Sequence, residues 1–106
     1  MRIASLIACI PVALASHAMA ADVPGDPQAG GQLAQDVCSA CHLVARDQAD
    51  DPEIGPSLIE VAEHPASTEM SLRVYLQTPH ATMPNIMLTP EETDDVISYI
   101  LSLKGS

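Results

Sequence analysis

Apolar positions fall at three- and four-residue intervals in several separate stretches of the chain, the period of a helix with one buried face. The first comprises Leu33, Ala34, Val37, Cys38 and Cys41. Asp26 stands before it as an N-cap, with Pro27 at the first helical position, where its missing N–H costs nothing. This spacing predicts a helix whose buried face carries both cysteines. Ser57 caps a second, short helix through Leu58, Ile59, Val61 and Ala62, ended by His64-Pro65. A third starts near Ser67 or Thr68 and runs to Gln77, with Leu72, Tyr75 and Leu76 on one face and Pro79 as its stop. Thr89-Pro90-Glu91-Glu92 reads as a capping box with proline at the first position. It opens a last helix whose apolar face is Val96, Ile97, Ile100, Leu101 and Leu103, and Lys104-Gly105 suits its end. Between these stretches, 46–53 is polar and acidic, and 78–88 holds two prolines and no helical period. No strand pattern or repeat stands out. The expectation is an all-α domain of about four helices.

The start of the chain changes the count of what folds. Met1-Arg2, a mostly apolar run from Ile3 to Ala15 and the small-x-small triplet Ala18-Met19-Ala20 match a cleavable secretory signal over 1–20, cut after Ala20. The run is too short for a spanning helix and Pro11 interrupts it. The expected division is signal 1–20, a disordered lead 21–25 and one domain over 26–106, with a periplasmic destination and no stable membrane insertion of the mature protein. Cys9 leaves with the signal. The three basic and fourteen acidic residues after Ala20 give a formal charge of −11. Such a charge makes nucleic acid and anionic membranes poor partners and favours proteins with basic docking surfaces.

The mature chain has no Trp, no Phe and only Tyr75 and Tyr99. A domain this small is marginal in stability and has little aromatic area to bury. Its one cysteine pair would close too short a loop to constrain it. A bulky apolar cofactor at the centre meets that need. Cys38-Ser39-Ala40-Cys41-His42 is the C-x-x-C-H arrangement in which two thiols add across the vinyl groups of one haem and the adjacent histidine comes beneath the iron.

With that motif in place, the chain resembles the class I c-type cytochromes of the small bacterial periplasmic monohaem type over nearly all of 26–103. Gly30 stands eight residues before the first cysteine, where the family's glycine lets the first and last helices cross closely. Gly55-Pro56-Ser57-Leu58 matches a turn after the haem segment, and Met83-Pro84, Leu88 to Glu92 and Tyr99-Ile100 match later family features. The resemblance implies a cytochrome c-like fold around one haem c held by two thioether bonds. It also implies that the Pro56 carbonyl accepts from Nδ1 of the ligand histidine, which fixes the ring and raises its donor strength. Ala34 departs from the pattern: the family has an aromatic residue there, so the crossing is expected to bury less area unless a neighbour such as Leu33 compensates.

A haem that only transfers electrons needs a second protein ligand, since an open site invites oxygen or peroxide chemistry. Met83 is the expected sulfur ligand, in an unperiodic loop stiffened by Pro84; Met87 and His80 are the alternatives. The metal ligands expected are therefore His42 and Met83, with no catalytic residue. His64 reads as a solvent-exposed structural residue, and Tyr75 and Tyr99 as packing residues. The expected function is transfer of single electrons between redox partners, as a carrier rather than an enzyme. Two rivals stand beside it: the haem subunit of a periplasmic dehydrogenase acting on sulfite or an alcohol, and a dithiol–disulfide oxidoreductase using Cys38 and Cys41. The second lacks the βαβ pattern expected around a redox dithiol.

Overall fold

The computed structural model describes residues 23–79 and 82–106. The signal expected over 1–20 and the alternative ligand His80 lie outside them. Four helices and no strand make up the described residues: α1 Pro27–Val37, α2 Leu58–Glu63, α3 Glu69–Gln77 and α4 Pro90–Ser102, with one 3-10 turn, Cys38–Ala40, following α1. The fold is all-α, as expected.

Each start has a local cause. The Asp26 carboxylate accepts from the Gln28 N–H at 2.8 Å, and the Ser57 hydroxyl accepts from Ile59 N–H at 3.1 Å. Thr68 and Thr89 both cap through a reciprocal pair: Ser71 answers Thr68, and Glu92 answers Thr89. In the second pair Thr89 Oγ1 accepts from Glu92 N–H at 3.1 Å while the Glu92 carboxylate accepts from Thr89 N–H at 2.8 Å. Thr89→Ala removes one half of this pair without touching the cysteine segment. We expect it to lower stability by about 1 kcal/mol, read as a shift in urea midpoint.

The main contact is between α1 and α4, which cross where Gly30 is buried. A Cβ at Gly30 would overlap the Asp95 carbonyl, so the two backbones meet without an intervening side chain. One turn of geometry resolves the missing aromatic residue at Ala34. Ala34 is fully buried, Leu33 is partly buried beside it, and the Tyr99 ring of α4 lies over Gly31, where an added Cβ would come within 3.0 Å of Cε2. The neighbouring glycine makes room for an aromatic ring supplied by the other helix.

The buried apolar set is Ala34, Val44, Leu58, Ala62, Leu72, Val96, Ile97 and Ile100. It holds no aromatic side chain, and two members are alanines. Val23, in the stretch assigned by sequence to a lead, packs partly buried against this core. Arg73 joins α3 to α4: its guanidinium lies 3.2 Å from Glu69 and 2.5 Å from Asp94. Among the described residues, no buried side-chain polar atom lacks a partner, and no helix is long and apolar enough to cross a membrane.

Candidate functional site

The expected helix through both cysteines stops short. Val37 is its last residue, and the chain tightens at once into the 3-10 turn. The Cys38 carbonyl then accepts from the N–H groups of both Cys41, at 3.1 Å, and His42, at 3.0 Å. Ser39 contributes to the tightening, because its hydroxyl bonds back to the Gln35 carbonyl at 2.5 Å and competes with helical pairing there. Cys38 and Cys41, both half-buried, bracket this turn. Burial pushes the Cys38 thiol up from its ordinary value.

His42 follows directly and is held from the opposite side by the segment 55–58. Its Nδ1 lies 2.6 Å from the Pro56 carbonyl oxygen. A carbonyl only accepts, so Nδ1 carries the proton and Nε2 is left with its lone pair, the form in which imidazole binds a metal. The same segment also donates at each end: Gly55 N–H to the Cys41 carbonyl at 2.7 Å, and Leu58 N–H to the Leu43 carbonyl at 2.9 Å. Gly55 sits against the imidazole itself. A Cβ there would overlap Cε1 and stand 2.7 Å from Nδ1 and 2.9 Å from Nε2.

Between Leu43 and α2 the chain has no helix, and two side chains take over the hydrogen bonds of Val44. Gln48 Oε1 accepts from Val44 N–H at 2.8 Å, and the Tyr99 hydroxyl donates to the Val44 carbonyl at 2.5 Å. Neither pairing was legible from periodicity, because both depend on how a loop folds over a helix. Tyr99 is pushed up from its ordinary value by burial and then by the Asp47 carboxylate. The unfolded chain therefore loses this proton first as pH rises, so the contribution of Tyr99 to stability is intact below about pH 10 and is lost above it, through the folded value. The urea midpoint is expected to fall with pH above that point, and Tyr99→Phe removes the part of the slope due to this group.

Met83 lies on the connection between α3 and α4 and is half-buried, whereas Met87 on the same connection is 86% exposed. A cleft of ≈ 200 Å³ on this side is bounded by Leu76 and Gln77 of α3, Asn85 to Leu88, and Thr93 of α4. Ile54, next to Gly55, is also highly exposed, at 73%. A larger hollow of ≈ 290 Å³ lies between Gln35 and Ser39 at the cysteine turn and the loop residues Gln48 to Asp50 and Pro52. His64 is exposed, and its Nδ1 accepts from Ala66 N–H at 3.1 Å as part of the turn between α2 and α3.

This arrangement suits a haem: two thiols bracketing one turn, an imidazole with its outer nitrogen occupied, and a glycine where a methyl would displace the ring. Ile54, exposed beside the Gly55 that meets the imidazole, adds apolar surface on that side. Residues 27–104 match the sequence model of the cytochrome c family, and the chain belongs to that family. Its work is accordingly to carry electrons rather than to catalyse a reaction. The chain is similar to cytochrome c-552 of Bradyrhizobium diazoefficiens, 35% identical over 96 residues that cover 91% of each protein. No solved structure is significantly similar to it.

Proposed function

We propose that this protein is a free periplasmic monohaem electron carrier, exported by a signal cut after Ala20 and comprising one domain from residue 26 onward. Cys38 and Cys41 hold the haem through two thioether bonds, His42 and Met83 are the axial ligands, and Pro56 orients His42. The 2.6 Å approach of His42 Nδ1 to the Pro56 carbonyl carries this reading. It leaves Nε2 unprotonated, and a hydrogen bond of this kind raises the basicity of a ligand histidine. The half-burial of Met83 supports it over the exposed Met87. Methionine sulfur favours Fe(II), so the potential is expected to be fairly positive.

The thiol chemistry of the rival oxidoreductase has less support. An attacking cysteine needs thiolate character near neutral pH, and burial drives Cys38 the other way. The partner follows from charge. Of the three cations after Ala20, Arg73 is already held by Glu69 and Asp94, so a partner meets acidic or apolar surface and presents basic groups of its own.

Matured holoprotein should keep its haem through denaturation in acidified organic solvent. Loss of the haem under those conditions would rule out thioether attachment. Met83→Ala should abolish the sulfur-to-iron charge-transfer band of the ferric form; a band that survives transfers the ligand role to another residue. Purification from the periplasm as a stable complex with a larger, cofactor-bearing subunit would replace the free carrier by a dehydrogenase subunit.

A further inference from the structure

We propose that Gln48 and Tyr99 are positioning residues for His42, locking the backbone behind the imidazole so that its bond to Pro56 is held closed. The proposal rests on the reading of His42 as axial ligand. Its basis is how the residues immediately after His42 satisfy their main-chain groups. Val44 is fully buried, so its N–H and C=O cannot rely on water. Among the described residues, both find side chains instead of backbone: Gln48 Oε1 at 2.8 Å on the N–H, and the Tyr99 hydroxyl at 2.5 Å on the C=O.

The Gln48 amide is used on both ends. Its Nε2 donates to the Asp50 carbonyl at 2.7 Å and makes a longer 3.5 Å contact with the carbonyl of His42 itself. The orientation of the amide is forced, since Val44 N–H needs an acceptor and the two carbonyls need a donor. Gln48 is half-buried and four residues beyond Val44, so it gathers the chain from His42 to Asp50 into one closed loop. Tyr99 fixes that loop to α4, and its ring is itself seated on Gly31 of α1.

His42 is thereby held at four places. Its N–H bonds to Cys38, its Nδ1 to Pro56, its carbonyl faces Gln48, and two residues on the chain is tied to α4. The Pro56 bond and the flanking bonds from Gly55 and Leu58 to the Cys41 and Leu43 carbonyls fix His42 from one side only. The Gln48 and Tyr99 bonds close the other side, because rotation of the backbone at Val44 breaks a bond to a buried group. They act on the ligand's orientation without touching it, as groups behind a metal-binding histidine do.

The test is the solvent exchange of the His42 Nδ1 proton, followed by NMR in the diamagnetic ferrous holoprotein. Tyr99→Phe keeps the ring and removes only the donor. Gln48→Glu keeps an acceptor for Val44 N–H and removes the donors to His42 and Asp50. Each is expected to speed exchange by about tenfold, whereas Thr89→Ala, which weakens α4 at its other end, leaves exchange within about twofold of the parent. Exchange at the parental rate in both variants overturns the proposal, and so does equal acceleration in Thr89→Ala, which would mark a general loosening. If the parent itself shows no haem-shifted Nδ1 proton, the ligation reading fails first, and the positioning role falls with it.

Discussion

Gly30→Ala will destabilise the protein by ~3 kcal/mol or more, a large fraction of the stability of a small domain. The added Cβ overlaps the Asp95 carbonyl oxygen and carbon and also meets the Tyr99 Cβ. Two of these atoms are main chain in the middle of α4, where they cannot rotate away. Relief requires the two helices to move apart, which uncovers Ala34, Val96 and Ile97 together and lifts Tyr99 from Gly31. A methyl that meets only the end of a flexible side chain can be relieved by that side chain's movement; here the whole crossing must yield. The measurement is the urea midpoint of the ferric holoprotein with its slope, and a loss below about 1 kcal/mol would show that the crossing is looser than the geometry indicates.

The second large effect is expected at Gly55. Alanine there places its Cβ on the His42 ring, so either the ring turns away or the Gly55–Pro56 backbone withdraws. Both movements break the 2.6 Å bond to the Pro56 carbonyl. Removing the groups that orient a ligand histidine commonly costs ten- to a hundredfold in metal affinity. We expect the yield of haem-loaded protein to fall about tenfold, measured as haem absorbance per protein, with little change in helix content by circular dichroism. Full loading with an unchanged ferrous spectrum would mean that His42 does not depend on this seat.

Local chemistry made much of the fold readable in advance. Asp26-Pro27, Ser57 and Thr89-Pro90-Glu91-Glu92 each mark a helix start because a cap acts within three residues of itself. His64-Pro65 and Pro79 mark ends for the same reason. The extent of α1 is not legible in the sequence, since its periodic spacing continues through Cys41 while the chain tightens from Cys38. Periodicity cannot separate an α turn from a 3-10 turn over three residues, and the Ser39 bond that favours the tighter form is a single side-chain contact. Ala34 signalled a deficit in the crossing, but its remedy, Tyr99 over Gly31, joins residues far apart in the chain.

The candidate site divides along the same line. Cys38, Cys41 and His42 stand next to one another, so their spacing alone suggested a haem. Pro56 came from likeness to a family, and the structure sets its carbonyl against His42 Nδ1. Gln48 gave no signal at all, because a glutamine in a polar loop has the same appearance whether its amide meets water or three main-chain groups. The pair of Arg73 with Asp94 was equally hidden, since Arg46, in the same acidic chain, bonds to the Ser106 hydroxyl instead.

The bond from Asp26 N–H to the Asp95 carboxylate spans 69 positions of the chain. The meeting of α1 with α4 therefore closes a ring that contains every other element. The entropy of closing such a ring rises only slowly with its length, but contacts so distant in sequence are slow to form. The order of events in folding follows. The cysteine turn, at the end of α1, is made from neighbours and needs no distant partner, whereas the Tyr99 and Gln48 clasp behind His42 is complete only when α4 has docked. Until the last helix arrives, the thiols are presented while His42 has only its bonds to Cys38, Pro56 and Gln48 and lacks the tie to α4.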